Sequence, residues 1–234
     1  MQKEERLRLV TDYLEKLDTK LHSTSITGLL EEISNRIGSV SRPGKMPGPS
    51  WSISANHCIT GSKLALIPGT ICSICYANKG RYRMSPVKNA MDRRLQGWKD
   101  DPDWIYLMVI RFILLDAPHV RWFDSGDLQS LKMLQDINRI AHETFPFIQY
   151  WLPTREKIIV SQLNDCAPNL TIRISSTKVG SIQATKIADV FTSSVSREKI
   201  DGQWMCPSST QGNKCLDCRA CWNKQISNVV YIEH

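Results

Sequence analysis

A chain of 234 residues that is 41% hydrophobic and 23% charged can bury a sizeable core, and it reads as an ordinary soluble globular protein. No run approaches the roughly 18 apolar residues that cross a bilayer, and the charged start MQKEERLRLV has no apolar signal core, so a cytoplasmic protein without a membrane partner is expected. The formal charge of +7 favours an anionic partner.

In chain order, residues 2–36 carry helical periodicity. Leu7, Val10, Tyr13, Leu14 and Leu17 form one stripe, and Ile26, Leu29, Leu30, Ile33 and Ile37 form a second. His22-Ser23-Thr24-Ser25 between them reads as a turn and an N-cap. The stretch GSVSRPGKMPGPS (38–50) is a linker or surface loop. From residue 51 the pattern alternates. Strands are expected at 51–55, 120–124, 147–152, 170–174, 190–194 and 229–232. Helices are expected at 86–99, 103–116, 128–144 and about 155–163. Alternation of this kind predicts an α/β fold of parallel β-α units, a partial or complete parallel β/α barrel. The expected organisation is an N-terminal helical segment (1–42), the barrel-like domain (43–200) and a Cys-rich C-terminal segment (201–234) packed on the barrel.

Seven of the eight cysteines fall in two groups. Cys58, Cys72 and Cys75 make C-x13-C-x2-C. Cys206, Cys215, Cys218 and Cys221 make C-x8-C-x2-C-x2-C. In a reducing compartment such spacings indicate metal or redox chemistry rather than disulfides. Four thiolates close a site, whereas three leave one position for something else. The three-Cys group is read either as a zinc knot completed by His57 or another ligand, or as a [4Fe–4S] cluster with one open iron. The four-Cys group is read either as a zinc site or as a second, fully ligated [4Fe–4S] cluster, since C-x2-C-x2-C resembles a ferredoxin loop more than a zinc ribbon. Two 2+ clusters held by seven thiolates would add about −3 and leave the chain near +4. Cys166 stands alone and reads as a structural thiol.

Polar residues punctuate the strand ends, where parallel β/α folds gather their functional groups. Asp124-Ser125-Gly126-Asp127 follows one strand, Arg155 and Glu156 the next, Ser175-Ser176-Thr177-Lys178 the one after. Each has a plainer reading. Asp124 or Asp127 is also placed to cap the helix that begins at Leu128, Arg155 to pair with Glu156, and the serines to make turns. The run Lys79-Gly80-Arg81-Tyr82-Arg83 is a solvated loop or, with Tyr76 and Tyr82 interleaved, a grip for nucleic acid. There is no H-E-x-x-H, no zinc-deaminase pattern and no Gly-rich phosphate loop.

The first cysteine stretch resembles the radical S-adenosylmethionine superfamily. It keeps the terminal C-x2-C and the following aromatic, and has thirteen residues where the usual spacing has three. From about residue 46 to 222 the chain is similar to the phage gene product 88 family, in the ordered pieces ANHC, CSICYANKGRY, WFDSGDL, YWLPTRE and CPSSTQGNKCLDCRACW. The superfamily resemblance implies that Cys58, Cys72 and Cys75 ligate a cluster able to bind S-adenosylmethionine and that Tyr76 lies beside its adenine. It implies that Asp124, Ser125, Gly126 and Asp127 meet the methionine amino group and Arg155 a carboxylate, with Ser175 and Lys178 contacting ribose or carboxylate. It also implies a reducing partner such as a flavodoxin or ferredoxin and, for a phage-encoded protein, the host cytoplasm. The alternatives are a zinc-stabilised nucleic-acid-binding module without catalysis and a cluster protein that transfers electrons or senses redox state without this cofactor.

Overall fold

A computed structural model describes residues 3–233. The first residue of the helix expected at 2–36, and His234, lie outside the described residues.

Seven parallel strands form one sheet: β1 (Ser50–Trp51), β2 (His119–Trp122), β3 (Gln149–Thr154), β4 (Leu170–Ser175), β5 (Phe191–Ser196), β6 (Trp204–Met205) and β7 (Asn228–Ile232). Their spatial order is β1-β2-β3-β4-β5-β7-β6. The fold is α/β. The sheet ends at β1 and β6, so the complete barrel is not built; among the described residues no ladder joins those two edges.

The two faces of the sheet are covered by different things, because side chains alternate along a strand. Val120, Trp122, Tyr150, Leu152, Leu170, Ile172 and Ile174 point into one large core together with the helices. These helices are α1 (Lys3–Leu14), α2 (Ile26–Ile37), α4 (Ser85–Asp100), α5 (Trp104–Leu114) and α6 (Leu131–Glu143), with α3 (Ile59–Ala65) and α7 (Lys157–Val160) in the loops at the strand ends. The α5 helix is apolar nearly all round and is correspondingly enclosed. Trp51 meets Trp104 and Trp122 edge-on, with ring centroids 5.6 and 5.7 Å apart. The N-terminal helices share this core through Val10, Tyr13, Leu17, Ile33 and Ile37. Polar bonds fasten them as well: Arg36 reaches Asp101 at 2.7 Å and Asp103 at 2.8 Å, and Asp103 accepts from the amides of Asp18 and Thr19. Ser25 caps α2 by accepting from the Gly28 amide, as its position predicts.

The opposite face presents Arg121, Trp151, Thr171, Arg173, Val229 and Tyr231. It is covered by the cysteine-bearing segment 206–222: Trp151, Ala220, Cys221, Trp222 and Val229 form a second, smaller core. Helices therefore lie on one side only.

Several boundaries differ from expectation. The strand expected at 51–55 is Ser50–Trp51, because Ile53 leaves the ladder to bond Ser125 and Ser54 caps a 3-10 turn at Ala55–His57. The strand expected at 147–152 starts at Gln149, since residues 144–148 complete the turn that ends α6. The helix expected near 155–163 contracts to Lys157–Val160. Neither α3 nor the two-residue β6 was anticipated; both are too short to show a period. The expected linker at 38–50 is fastened at both ends of its path, by a two-way bridge between Ser41 and Ser50 and by the Lys45 carbonyl, which accepts from Cys215.

Candidate metal and cofactor sites

The first cysteine group lies beyond the carboxyl ends of β1–β4. Cys58 lies between the 3-10 turn Ala55–His57 that follows β1 and the start of α3; Cys72 sits on the 3-10 turn Ile71–Ile74, and Cys75 joins that turn to the next, Tyr76–Asn78. Three ties bring this loop over the sheet. Glu156 accepts from the amide and hydroxyl of Thr60, both at 2.8 Å. Ile71 donates to the Thr177 carbonyl, and Thr70 bridges Lys178. Gln129 holds the His57 carbonyl at 2.9 Å.

Cys72 and Cys75 lie close enough to Cys58 to raise its pKa, and Cys75 acts likewise on Cys72. Burial pushes Cys58 up to about 12, with further contributions from Asp127, Cys75 and Cys72, while Arg155 opposes. Burial raises Cys72 too, again against Arg155. Gly61 leaves the space between them: a Cβ there would stand 3.5 Å from Cys58 Sγ and 3.7 Å from Cys72 Sγ. At the ends of β2, β3 and β4 three shielded polar atoms have no partner among the described residues: Ser125 Oγ, Arg155 Nε and Ser176 Oγ. Buried polar atoms are ordinarily bonded, so these are unspent hydrogen-bonding capacity, and Arg155 is close enough to act on Cys58 and Cys72.

The expected cofactor residues divide by what already occupies them. Tyr76 is exposed at its ring and donates to the Asp124 carbonyl at 2.5 Å. The Asp124 carboxylate accepts from Ser50 and Tyr82, both at 2.9 Å. Gly126 adopts φ +79°, and a Cβ there would lie 2.4 Å from Ile53, so the turn admits only glycine. Asp127 accepts from the Leu128 amide, Thr154 Oγ1 and the Arg155 amide. Burial nevertheless raises its pKa to about 6, against those three bonds. Arg155 spends one terminal nitrogen on the Ser176 carbonyl at 3.3 Å. Ser175 is bonded to Ser193, and Lys178 is exposed on the loop that bridges Thr70. His57 faces Asp92 at 3.5 Å.

The second group lies against the opposite face. Cys206 continues from β6 and donates to Val230, while Cys215 donates to Lys45. Burial raises the pKa of Cys215, with Cys206 and Cys218 adding to it, and Cys206 acts in the same sense on Cys221. Burial pushes Cys221 up to about 12, moderated by a 3.2 Å bond with Tyr231. The loop carrying Cys221 is held from below by Arg173, fully buried, which donates to the carbonyls of Ala220, Cys221 and Asn223 at 2.8–3.1 Å. Among the described residues no three His, Cys, Asp or Glu side chains are arranged to hold a single metal ion in either group. Cys166 bonds only backbone carbonyls, away from both.

A family profile described as Gene product 88 matches residues 46–224, more than half of the chain. The chain belongs to the Gene product 88 family. No curated protein and no solved structure matches it. The Gene product 88 region takes in all seven grouped cysteines and six of the seven strands, and leaves α1 and α2 outside.

Within this Gene product 88 region the most informative residue that periodicity does not reveal is Arg121. One terminal nitrogen reaches Tyr76 Oη at 3.5 Å and the Phe123 carbonyl at 3.2 Å; the other meets Met46 Sδ at 3.6 Å. Its guanidinium lies 4.5 Å over Trp151, and its Nε is shielded and without a partner. Its charge lowers the pKa of Cys215 and Cys221 on one side, while on the other Tyr76 and Asp124 favour its own charged form against burial. It therefore stands between the two cysteine groups. In the sequence it looks like an ordinary polar residue of an alternating strand, and only the burial of Trp151 beside it tells otherwise.

Proposed function

We propose that this chain is an iron–sulfur protein of the radical S-adenosylmethionine type, built on a partial β/α barrel and working in the cytoplasm. Cys58, Cys72 and Cys75 would hold a [4Fe–4S] cluster with one open iron, and Cys206, Cys215, Cys218 and Cys221 a second, closed one. Strands β1 to β5, which lie side by side in chain order with helices packed on one face, support the partial-barrel reading.

The observation that carries the proposal is the set of orphaned atoms at the ends of β2, β3 and β4. Cys58 and Cys72, which burial holds toward the neutral thiol, need a positive centre to hold them as thiolates. At those strand ends, Ser125 Oγ, Ser176 Oγ and Arg155 Nε supply unspent hydrogen-bonding capacity for a small molecule bearing amino and carboxylate groups. Arg155 faces a carboxylate, and Tyr76 offers a ring held by its hydroxyl against which adenine can lie. Asp127, already bonded three times, fixes the turn that aims Ser125 and Arg155. A bound cluster with an open iron would supply one electron to the sulfonium of that cofactor, and the chemistry is the cofactor's own.

A second reading has its own support: Arg173 and Trp222 bind the four-Cys loop into the sheet as a structural element would. It makes the chain a zinc-stabilised module without catalysis.

Anaerobic purification with iron, sulfide and zinc analysis, and electron paramagnetic resonance with and without S-adenosylmethionine, decides between them. About eight irons per chain and a spectrum that changes with the cofactor are expected. A colourless protein with two zincs per chain would sink the cluster reading.

A further inference from the structure

Between residues 57 and 91 the chain carries Lys63, Lys79, Arg81, Arg83 and Lys88 and not one Asp or Glu. This stretch therefore contributes five of the seven net positive charges. Folding does not consume three of them. Lys79, Arg81 and Arg83 are exposed, and among the described residues they make no ion pair and no side-chain hydrogen bond. They stand on a rigid ledge. The 3-10 turn Gly80–Arg83 is anchored by Tyr82, whose hydroxyl donates to Asp124 and whose ring leans on Tyr76 with centroids 5.7 Å apart. Exposed apolar surface borders it: Met84, which follows the turn, is 54% exposed, and Tyr76, which meets Tyr82, 56%. The nearest acid along the chain, Asp92, is occupied by His57.

We propose that this ledge binds single-stranded nucleic acid beside the three-Cys site. Three unpaired cations in a row suit a phosphate chain. The apolar border suits unstacked bases, which a single strand exposes and a duplex keeps within its stack. The proposal rests on neither reading of the metal, since the ledge is formed by protein contacts alone.

The test is fluorescence anisotropy of the protein, as purified with its metal content measured, against a labelled mixed-sequence single-stranded DNA and its duplex. Binding of the single strand is expected to weaken about 20-fold between 50 and 200 mM salt, a slope near −2 for three phosphate contacts. The triple variant Lys79→Ala/Arg81→Ala/Arg83→Ala should lose most of that slope, whereas Arg8→Ala/Lys186→Ala, which removes exposed cations elsewhere, should keep it. Metal content unchanged in the triple variant separates this result from loss of the cysteine site. Absence of saturable binding at 50 mM salt, equal slopes in both variants, or equal affinity for polyglutamate, which would mark a docking face for an acidic protein, would each overturn it.

Discussion

Arg173 carries a charge into the sheet with no carboxylate to meet it. It is fully buried and gives its protons to four carbonyls, those of Thr192, Ala220, Cys221 and Asn223. Burial disfavours its charged form, with Tyr231 and Cys221 on the favourable side. A buried cation held only by carbonyl dipoles is ordinarily costly, and the cost falls once thiolates gather nearby. Replacing Arg173 with Met removes four donors from enclosed acceptors and should destabilise the protein by about 3 kcal/mol. It should also weaken metal retention at the four-Cys group while sparing the three-Cys group. Urea unfolding and competition with a chelator measure the two effects, and equal metal loss from both groups would contradict the placement. At this scale the sequence was legible where chemistry is written in residue type. The seven cysteines, Tyr76 and Arg155 are visible in one dimension, whereas Arg121 and Arg173 acquire their meaning only from neighbours far along the chain.

Among the elements, the N-terminal helices are best judged by how they are attached. Their apolar stripes join the main core, and Arg36, Asp101 and Asp103 make a nearly enclosed ionic joint where α4 passes into α5. Burial pushes the Asp103 carboxyl up, but Arg36 and the amides of Asp18 and Thr19 outweigh it and hold the group below the usual value of 3.8. A depressed folded-state pKa contributes stability above the unfolded value and loses it as pH falls through the folded one. Stability should therefore drop as the pH is lowered below about 4, and Asp103→Asn should flatten that part of the profile while lowering stability near neutrality. Thermal unfolding from pH 2 to 7 would show it; parallel curves for the two proteins would exclude the joint as the cause. The stripes at 7–17 and 26–37 predict these helices because they run for several turns. The period is silent for β6 and α3, whose existence depends on partners: β7 for the first, Glu156 for the second.

For the whole molecule, the decisive feature is a sheet with unlike covers. One face is secured by a large aliphatic and aromatic core. The other is secured by five buried residues and by Arg173. If the cysteine groups hold metal as proposed, removing it should act on the segments that carry them and not on the larger core. Amide hydrogen exchange after chelation is expected to rise in 206–223 and in 57–84, while α5, α6 and β2–β4 stay protected. Uniform loss of protection would mean that metal supports the entire fold. The alternating pattern announces the parallel sheet but not its open edges, because closure depends on how many strands pair, not on what each strand looks like.

The placing of β7 between β5 and β6 has a consequence for biosynthesis. On the ribosome, β1 to β5 emerge in the order in which they lie side by side, so each can dock on its predecessor as it appears. The β6 segment cannot, since the strand it pairs with, Asn228–Ile232, is made after it. Cys206, which follows β6 and is held by Val230, must wait with it. The four thiols of the later group thus pass through synthesis without their final scaffold, and any metal they take up would be loaded after β7 has been made.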